Sequence, residues 1–242
     1  ASCWAAMSRS ITSCMRSNRK SDQFEVTLIR AMLFDLDGTL LDSAPDLVGS
    51  LNWVRQTESL PALPLAQMSP YASKGAVGLL RAGMPETDDG TFESWRQRFL
   101  EHYALNSFEH SSLYAGVPEL LSALQEADIP WGVVTNKIES LTYPIIEAAG
   151  LQDSISCVVC GDTLNESKPH PAPVSLACGM VGAEPENTVF AGDDIRDIEA
   201  GKAAGTLTAA VYYCYGSHEL EGELVESSYK IHHPSDLQKL IG

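Results

Sequence analysis

Two aspartates one residue apart, Asp35 and Asp37, end the apolar run AMLF and are followed at once by Gly38 and Thr39, in the stretch AMLFDLDGTLLDS. A strand interior has no use for carboxylates, so either the strand ends there and presents its acids to something, or the acids are ordinary loop residues, since D-x-D-G is also a turn-like composition. Alternation along extended chain turns Asp35 and Asp37 to one side and Leu36 to the other. One such carboxylate can attack an electrophilic phosphorus while the other exchanges a proton with the leaving alcohol and then with water. That covalent route replaces one slow hydrolysis by two easier displacements. Gly38 lets backbone approach a phosphate, and the amides after the strand, from Thr39 onward, supply donors.

Other polar strand ends keep these acids company. WGVVTN ends in Thr135 and Asn136, TVFAGDD ends in Asp193 and Asp194, and Lys168 stands in the loop NESKPHPAP before a helical pattern. Two like charges 4 Å apart repel by about 4 kcal/mol at an effective dielectric of 20, so several aspartates in one cleft require a cation. Oxygen donors of this kind suit Mg2+, which takes one or two carboxylates and leaves room for phosphate oxygens and water. The ion and Lys168 also resolve a conflict of charge. With 32 acidic against 16 basic residues the chain carries a formal charge of -16, which argues against nucleic acid or an anionic membrane as its partner. An anionic small molecule needs a local positive site on such a protein, and here it has one.

The elements that must position these residues follow from periodicity. After residue 30, the short β-rich runs AMLFDLD, WGVVTN, SCVVCGD, TVFAGDD, TAAVYY and YKIHH alternate with helical patterns at about 116–128, 138–149, 171–182 and 194–204, and a short one near 235–241. Such alternation predicts an α/β fold, a doubly wound parallel sheet whose ligands sit at the carboxyl ends of the strands. Residues 44–112 interrupt it with helical patterns alone, APDLVGSLNWVRQ, KGAVGLLRAG and TFESWRQRFLEHYALN, separated by the breakers LPALPL and MPETDDG. They read as a helical subdomain inserted after the first strand, leaving residues 31–43 and 113–242 as the core, with YAGVPEL as the return hinge and Pro118 near a helix start.

Residues 1–30 are rich in Ser and Arg, lack a long apolar stretch and read as a non-catalytic leader. No apolar run reaches the length of about 18 residues that a membrane span needs. The six cysteines, Cys3, Cys14, Cys157, Cys160, Cys178 and Cys214, are scattered through a chain with a sizeable core and read as reduced, cytoplasmic thiols. Cys157 and Cys160 form a C-x-x-C, but their strand sends them to opposite faces and no second pair completes a zinc site. His170, between two prolines, and His232 with His233 at a strand end read as surface residues. Asp42 reads as an acid at a helix start, and GKAAG as a helix C-terminus closing at Gly205.

DLDGTLLDS, VVTNK, SKPHPAP and GDDIRDIEAGKAAG, in that order, resemble the four motifs of the haloacid dehalogenase superfamily of phosphatases, and the insert resembles its helical type-1 cap. WGVVTNK with GDDIRDIEAGKAAGTLTAAVYY is similar to the phosphoglycolate phosphatase subfamily, and especially to the bacterial N-acetylmuramic acid 6-phosphate phosphatases. The resemblance implies a Rossmann-like core in which Asp35 is the nucleophile and Asp37 the general acid and base. It implies that Thr135 and Asn136 hold the phosphate, that Lys168 neutralises charge around the nucleophile, and that Mg2+ is bound by Asp35, the backbone carbonyl of Asp37, and Asp193, with Asp194 a further ligand, direct or through water. Asp197 reads more simply as an acid that complements a helix dipole. Asp37 sets the chain apart from the dehalogenases of that superfamily, and Thr39 from its sugar phosphomutases. At the cap, Lys74 and Gly75 in SKGAVGLL resemble the helix start that meets substrate, and Lys74 suits a substrate carboxylate. Lys74 and Val77 stand where the muramic acid relatives carry Gly and Arg. The expected substrate is a small phosphate ester bearing a carboxylate; other sugar phosphates, or a phospho-accepting regulatory module without turnover, are the alternatives, and a homodimer is compatible with either.

Overall fold

In the computed structural model, residues 28–215, 220 and 226–241 are described, so most of the expected leader lies outside the described residues. Strand β1 (Ala31–Phe34) lies inside a six-stranded sheet with β4 (Trp131–Val134) on one side and β6 (Thr188–Gly192) on the other. Strand β5 (Cys157–Val159) extends the sheet beyond β4, and β7 (Leu207–Val211) with β8 (Tyr229–Ile231) extend it beyond β6. All five pairings are parallel. Every one of the six runs read as a strand is a strand, and the direction of travel reverses at β1, which is where such sheets open a crevice.

The strands are buried on both faces, as a parallel sheet covered by helices requires. Met32 and Phe34 of β1 enter one apolar cluster with Trp131, Val133, Val189 and Ala191, whereas Leu33 enters a second with Val134 and Phe190. Side-chain alternation therefore feeds two cores from one strand. The larger core takes its other wall from α5 (Val117–Glu126) through Val117, Leu120, Leu121 and Leu124, and from α6 (Glu139–Ala148) through Leu141, Ile145 and Ile146. The smaller is closed by α7 (Ala172–Val181) and α8 (Ile195–Ala204), through Val174, Ala177, Cys178 and Ala200. Helices α7 and α8 end at Gly182 and Gly205 in the left-handed conformation that stops a helix.

The insert is helical as expected. It contains α1 (Ala44–Thr57), a short α2 (Leu65–Met68), a 3-10 turn (Ser69–Lys74), α3 (Gly75–Gly83) and α4 (Asp89–Asn106). Trp95, Phe99 and Tyr103 recur every four residues on α4 and give it a single buried stripe. Its start is two residues earlier than TFESW suggests, because the Asp88 side chain accepts the Thr91 amide and caps the helix. The junction holds an element that the sequence does not announce. Strand β2 (Leu41–Asp42) pairs antiparallel with β3 (Ser112–Leu113), so the two crossings between core and insert run side by side as a ribbon. Two-residue strands carry no periodicity to read. Buried Asp46 of α1 fastens the return crossing, accepting from the amides of His110 and Ser111 and from the Ser111 hydroxyl at 2.6 Å. After β8 the described chain ends in a short helix, α9 (Ser235–Gln238).

Candidate active site

Strand β1 stops at Phe34, short of the two acids. The Asp35 amide donates to the Ala191 carbonyl at 2.9 Å, and the chain then wraps around Leu36, whose carbonyl accepts the amides of Leu40 at 3.1 Å and Leu41 at 2.9 Å. Asp35 and Asp37 reach one cavity because a tight turn presents them, and not because a strand continues through them. Leu36 itself is buried and anchors the turn. Gly38 has φ +86°, and a Cβ there would collide with the carboxylate of Asp193. Its place next to the acids thus lets Asp193 approach. The Thr39 side chain also turns toward that acid, donating to Asp193 Oδ1 at 3.2 Å, while the Thr39 carbonyl accepts from the Tyr213 hydroxyl.

The ends of β6, β4 and the 168 loop complete the cluster. The Lys168 ammonium, almost fully buried, lies 2.9 Å from Asp35 Oδ1 and 2.7 Å from Asp197 Oδ1, and donates to the Val134 carbonyl. Burial works against its charge, but Asp197 and Asp35 outweigh it and hold its pKa above the usual lysine range. The side chain of Asn136 pins that lysine in place, donating to the Lys168 carbonyl and accepting the Lys168 amide, both at 2.9 Å. Thr135 is buried, and its hydroxyl oxygen accepts the Lys137 amide at 3.1 Å.

Asp35, Asp193 and Asp197 each bring one carboxylate oxygen within 4.8 Å of the others. Burial, then the charges of Asp35, Asp197 and Asp194, push Asp193 well above the ordinary carboxylate range. Burial pushes Asp197 up to about 7 against the pull of Lys168. Among the described residues Asp193 Oδ2 is buried and accepts no hydrogen bond. A buried carboxylate oxygen left without a donor, beside two more carboxylates, is a donor set for a hard divalent cation. Asp197 is therefore no mere dipole acid: it is buried, it faces Lys168, and its Oδ2 accepts the Asp194 amide in a capping box at the start of α8. The sequence signal was present, since Asp194 and Asp197 have the spacing of such a box.

Asp194 lies outside that group of three. Arg196 grips it through Nε to Oδ1 at 2.7 Å and Nη2 to Oδ2 at 2.8 Å. Burial acts to raise its pKa, but hydrogen bonds and charge from Arg196 prevail and hold it below the ordinary value. The same Nη2 donates to the Ser73 carbonyl at 2.9 Å, so Arg196 ties the core to the turn that leads into Lys74 and Gly75. Lys137 makes a second tie: its ammonium contacts Asp37 Oδ1 and the Tyr103 hydroxyl, each at 2.8 Å. No role for Arg196, Lys137 or Tyr103 is evident from sequence pattern alone. Lys137 follows Thr135 and Asn136 directly, and Tyr103 lies on the buried stripe of α4, so both positions were open to inspection.

These residues, apart from Gly38, Thr39 and Asp193, line a cavity of about 280 Å³. Its floor holds Asp35, Asp37, Thr135, Lys168 and Asp197, and its roof is the insert, with Ser73, Lys74, Gly75, Val77, Arg96 and Tyr103. Phe99, Leu100, Ile138 and Leu141 add apolar wall. The remaining polar candidates stand elsewhere. The His170 ring accepts the Ala172 amide within its own turn, His233 engages Ser235, and His232 stacks on Tyr212. Asp42 belongs to β2, with Ser43 as the cap of α1. Cys157 and Cys160 are buried thiols, and burial raises both.

Among the described residues no helix is long and apolar enough to cross a membrane. The chain is similar to curated proteins from several bacteria. It is 38% identical over 216 residues to an N-acetylmuramic acid 6-phosphate phosphatase of Pseudomonas putida KT2440, covering 88% of this chain and 96% of that one. A protein of the same name from Pseudomonas aeruginosa PAO1 is 41% identical over 188 residues, 77% of this chain and 83% of its own. A phosphoglycolate phosphatase of Xanthomonas campestris pv. campestris 8004 is 40% identical over 186 residues, 77% and 84% of the two chains. Among solved structures, a predicted phosphoglycolate phosphatase from Haemophilus somnus 129pt superimposes with a TM-score of 0.77 at 29% identity, over 88% of this chain and 98% of that one. Residues 32–211 match the family model described as haloacid dehalogenase-like hydrolase. A turn that presents two aspartates to a lysine and two further buried acids, on a sheet of this topology, thus finds its relatives, and the chain belongs to the haloacid dehalogenase-like hydrolase family.

Proposed function

We propose that the chain is a Mg2+-dependent phosphomonoester hydrolase that works through a phosphorylated Asp35. The observation that carries the proposal is the meeting of Asp35, Asp193 and Asp197, two of which, Asp35 and Asp197, pair with the buried Lys168, and the presence of Asp37 in the cavity that Asp35 lines. A carboxylate held against an ammonium is positioned as a nucleophile, and its neighbour two residues on as an acid. Asp35 and Asp193, with the backbone carbonyl of Asp37, are the residues proposed to hold Mg2+. When bound, the ion would offset phosphoryl charge against the carboxylates.

In the first displacement an Asp35 oxygen bonds to phosphorus, the ester P–O bond breaks, and the leaving alkoxide takes a proton from Asp37. In the second, Asp37 takes a proton from water as its oxygen attacks phosphorus and the Asp35–phosphoryl bond breaks. Lys168 stabilises the charge that develops on the transferring group. Thr135 is assigned to the phosphate, with Asn136 serving that site by fixing Lys168; the amides of Gly38 and Thr39, expected to serve the phosphate, instead donate to the Leu41 and Leu36 carbonyls within the turn. Residues 44–112 act as a cap whose closure excludes water from the first displacement and admits it to the second.

The proposed substrate is a small phosphate ester with a carboxylate, of the phosphoglycolate or N-acetylmuramic acid 6-phosphate type. Lys74 and Gly75 at the roof are assigned to that carboxylate, and the names of the bacterial relatives support the class. The apolar wall of Phe99, Leu100, Ile138 and Leu141 favours the sugar acid, which has more surface to bury than glycolate. Buried thiols at Cys157, Cys160 and Cys178 support a reducing, cytoplasmic setting. The test is a side-by-side comparison of kcat/KM on 2-phosphoglycolate, N-acetylmuramic acid 6-phosphate and hexose phosphates, with and without Mg2+. Mg2+-dependent turnover highest on the muramic ester is expected; equal rates on hexose phosphates would remove the carboxylate from the account.

A further inference from the structure

Lys137 is the one residue named at the site that touches both the proposed acid and the insert by its side chain. Its base is fixed in the core: its amide donates to the Thr135 hydroxyl oxygen at 3.1 Å and its carbonyl accepts the Gly161 amide at 2.9 Å. Its ammonium reaches across the cavity, donating to Asp37 Oδ1 and to the Tyr103 oxygen, each at 2.8 Å, and standing 4.8 Å from the centre of the Tyr103 ring. The Lys137 side chain is 9% exposed and Tyr103 is 1% exposed, so neither contact is a surface ion pair of small consequence. The ring of Tyr103 is itself held, stacked on Phe99 along the buried stripe of α4.

We propose that Lys137, steadied by Tyr103, is a positioning residue that orients Asp37 for proton transfer and makes that orientation depend on the insert. The inference rests on the phosphatase reading of the site. A donor on Oδ1 leaves Oδ2 as the oxygen that carries the transferable proton. As the ester P–O bond breaks, its electron pair stays on the leaving oxygen; that oxygen takes the proton from Asp37 Oδ2, and the electrons of the O–H bond remain on the carboxylate. When water attacks the phosphorylated Asp35, the same oxygen takes the proton back. Were α4 to move away, Lys137 would lose one of its two partners, and Asp37 the constraint that comes with it.

Leaving groups separate this role from mere support of the fold. p-Nitrophenolate departs without a proton, whereas a simple alkoxide needs one, so a displaced acid is felt chiefly with alkyl esters. Rates with Mg2+ should be measured for wild type, Lys137→Met and Tyr103→Phe on p-nitrophenyl phosphate and on an alkyl phosphate without a carboxylate, beside a thermal melt of each protein. Correct placement of an acid is worth about 10²- to 10⁴-fold, so partial misplacement is expected to lower the ratio of alkyl to aryl kcat by about tenfold in both variants. Tyr103→Phe keeps the ring and its packing, and carries the test if Lys137→Met does not fold. Equal losses on both esters, no loss on either, or a higher KM with unchanged kcat would overturn the inference, the last by making Lys137 a substrate-binding group. A wild type inactive on both esters would instead overturn the phosphatase reading beneath it.

Discussion

Thr39 donates its hydroxyl to Asp193 Oδ1 at 3.2 Å, while Oδ2 of the same buried carboxylate accepts nothing from the described residues. That half-satisfied acid makes the ion-free site sensitive to pH. Burial raises Asp193 well above 3.8 and Asp197 to about 7. A carboxyl whose pKa is higher in the folded state stabilises the fold while protonated; the contribution is complete below the unfolded value and is lost as pH rises through the folded one. Without divalent ions, the melting temperature should therefore fall between about pH 6 and pH 8, at up to about 1.4 kcal/mol per unit for each group that titrates. Saturating Mg2+ should raise it, and more at the higher pH. Calorimetric melts at both pH values check this, and an equal Mg2+ effect at each would contradict it.

Lys168 sits between Asp35 and Asp197 with almost no exposure. Lys168→Met would leave two carboxylates facing each other in a buried site. Removal of one partner from such a group costs about 3–5 kcal/mol, so the unfolding free energy from urea titration should drop by an amount of that order, with a lower midpoint, and turnover should vanish. A midpoint within error of wild type would mean that water already shares the charge of these acids.

Gly38 separates fold from site. At φ +86° an alanine is strained by about 1–3 kcal/mol, and its methyl group would displace the Asp193 carboxylate. Gly38→Ala should fold with lowered stability and bind Mg2+ more weakly, by about tenfold or more in titration calorimetry, since disturbing the group that seats a metal ligand costs about 10- to 100-fold in affinity. Unchanged affinity would remove Asp193 from the metal site.

Lys74 bears on substrate choice. It lines the roof of the cavity, opposite the acids. Lys74→Ala should raise KM for a carboxylate-bearing ester about tenfold, the worth of one charge-assisted hydrogen bond, and leave p-nitrophenyl phosphate nearly untouched. Steady-state kinetics on both esters decide it; parallel changes would assign Lys74 to the phosphate or to the fold.

Long periodic features were legible in the sequence. Six β-rich runs became the six strands of the sheet, and Gly205 closes α8 where GKAAG suggested. Asp35, Asp37, Thr135, Lys168 and Asp193 come together because each ends a strand or stands in a loop at the same sheet edge, which alternation of elements predicts. What stayed hidden depends on contacts across long stretches of chain. The β2–β3 ribbon is two residues wide, and no spacing links Arg196 to Ser73 or Lys137 to Tyr103. Sequence alone suggests a phosphate for Gly38 and Thr39, because nothing local reveals that Asp193, 154 positions from Thr39, packs against them. Asp197 is hidden for a local reason: an acid in a first turn already has an explanation, and only its burial beside Lys168 calls for more.

The central claim is that Asp35 carries the phosphoryl group. Asp37→Asn should slow the second displacement, which needs a base, and let the intermediate accumulate. Mixing this variant with Mg2+ and p-nitrophenyl phosphate, quenching in acid and reading peptide masses gives the most direct test. The account predicts the added mass of one phosphoryl group on the peptide that contains Asp35, absent in Asp35→Asn. Steady turnover in the wild type with no phosphopeptide in the variant, or with the group on another residue, would contradict it.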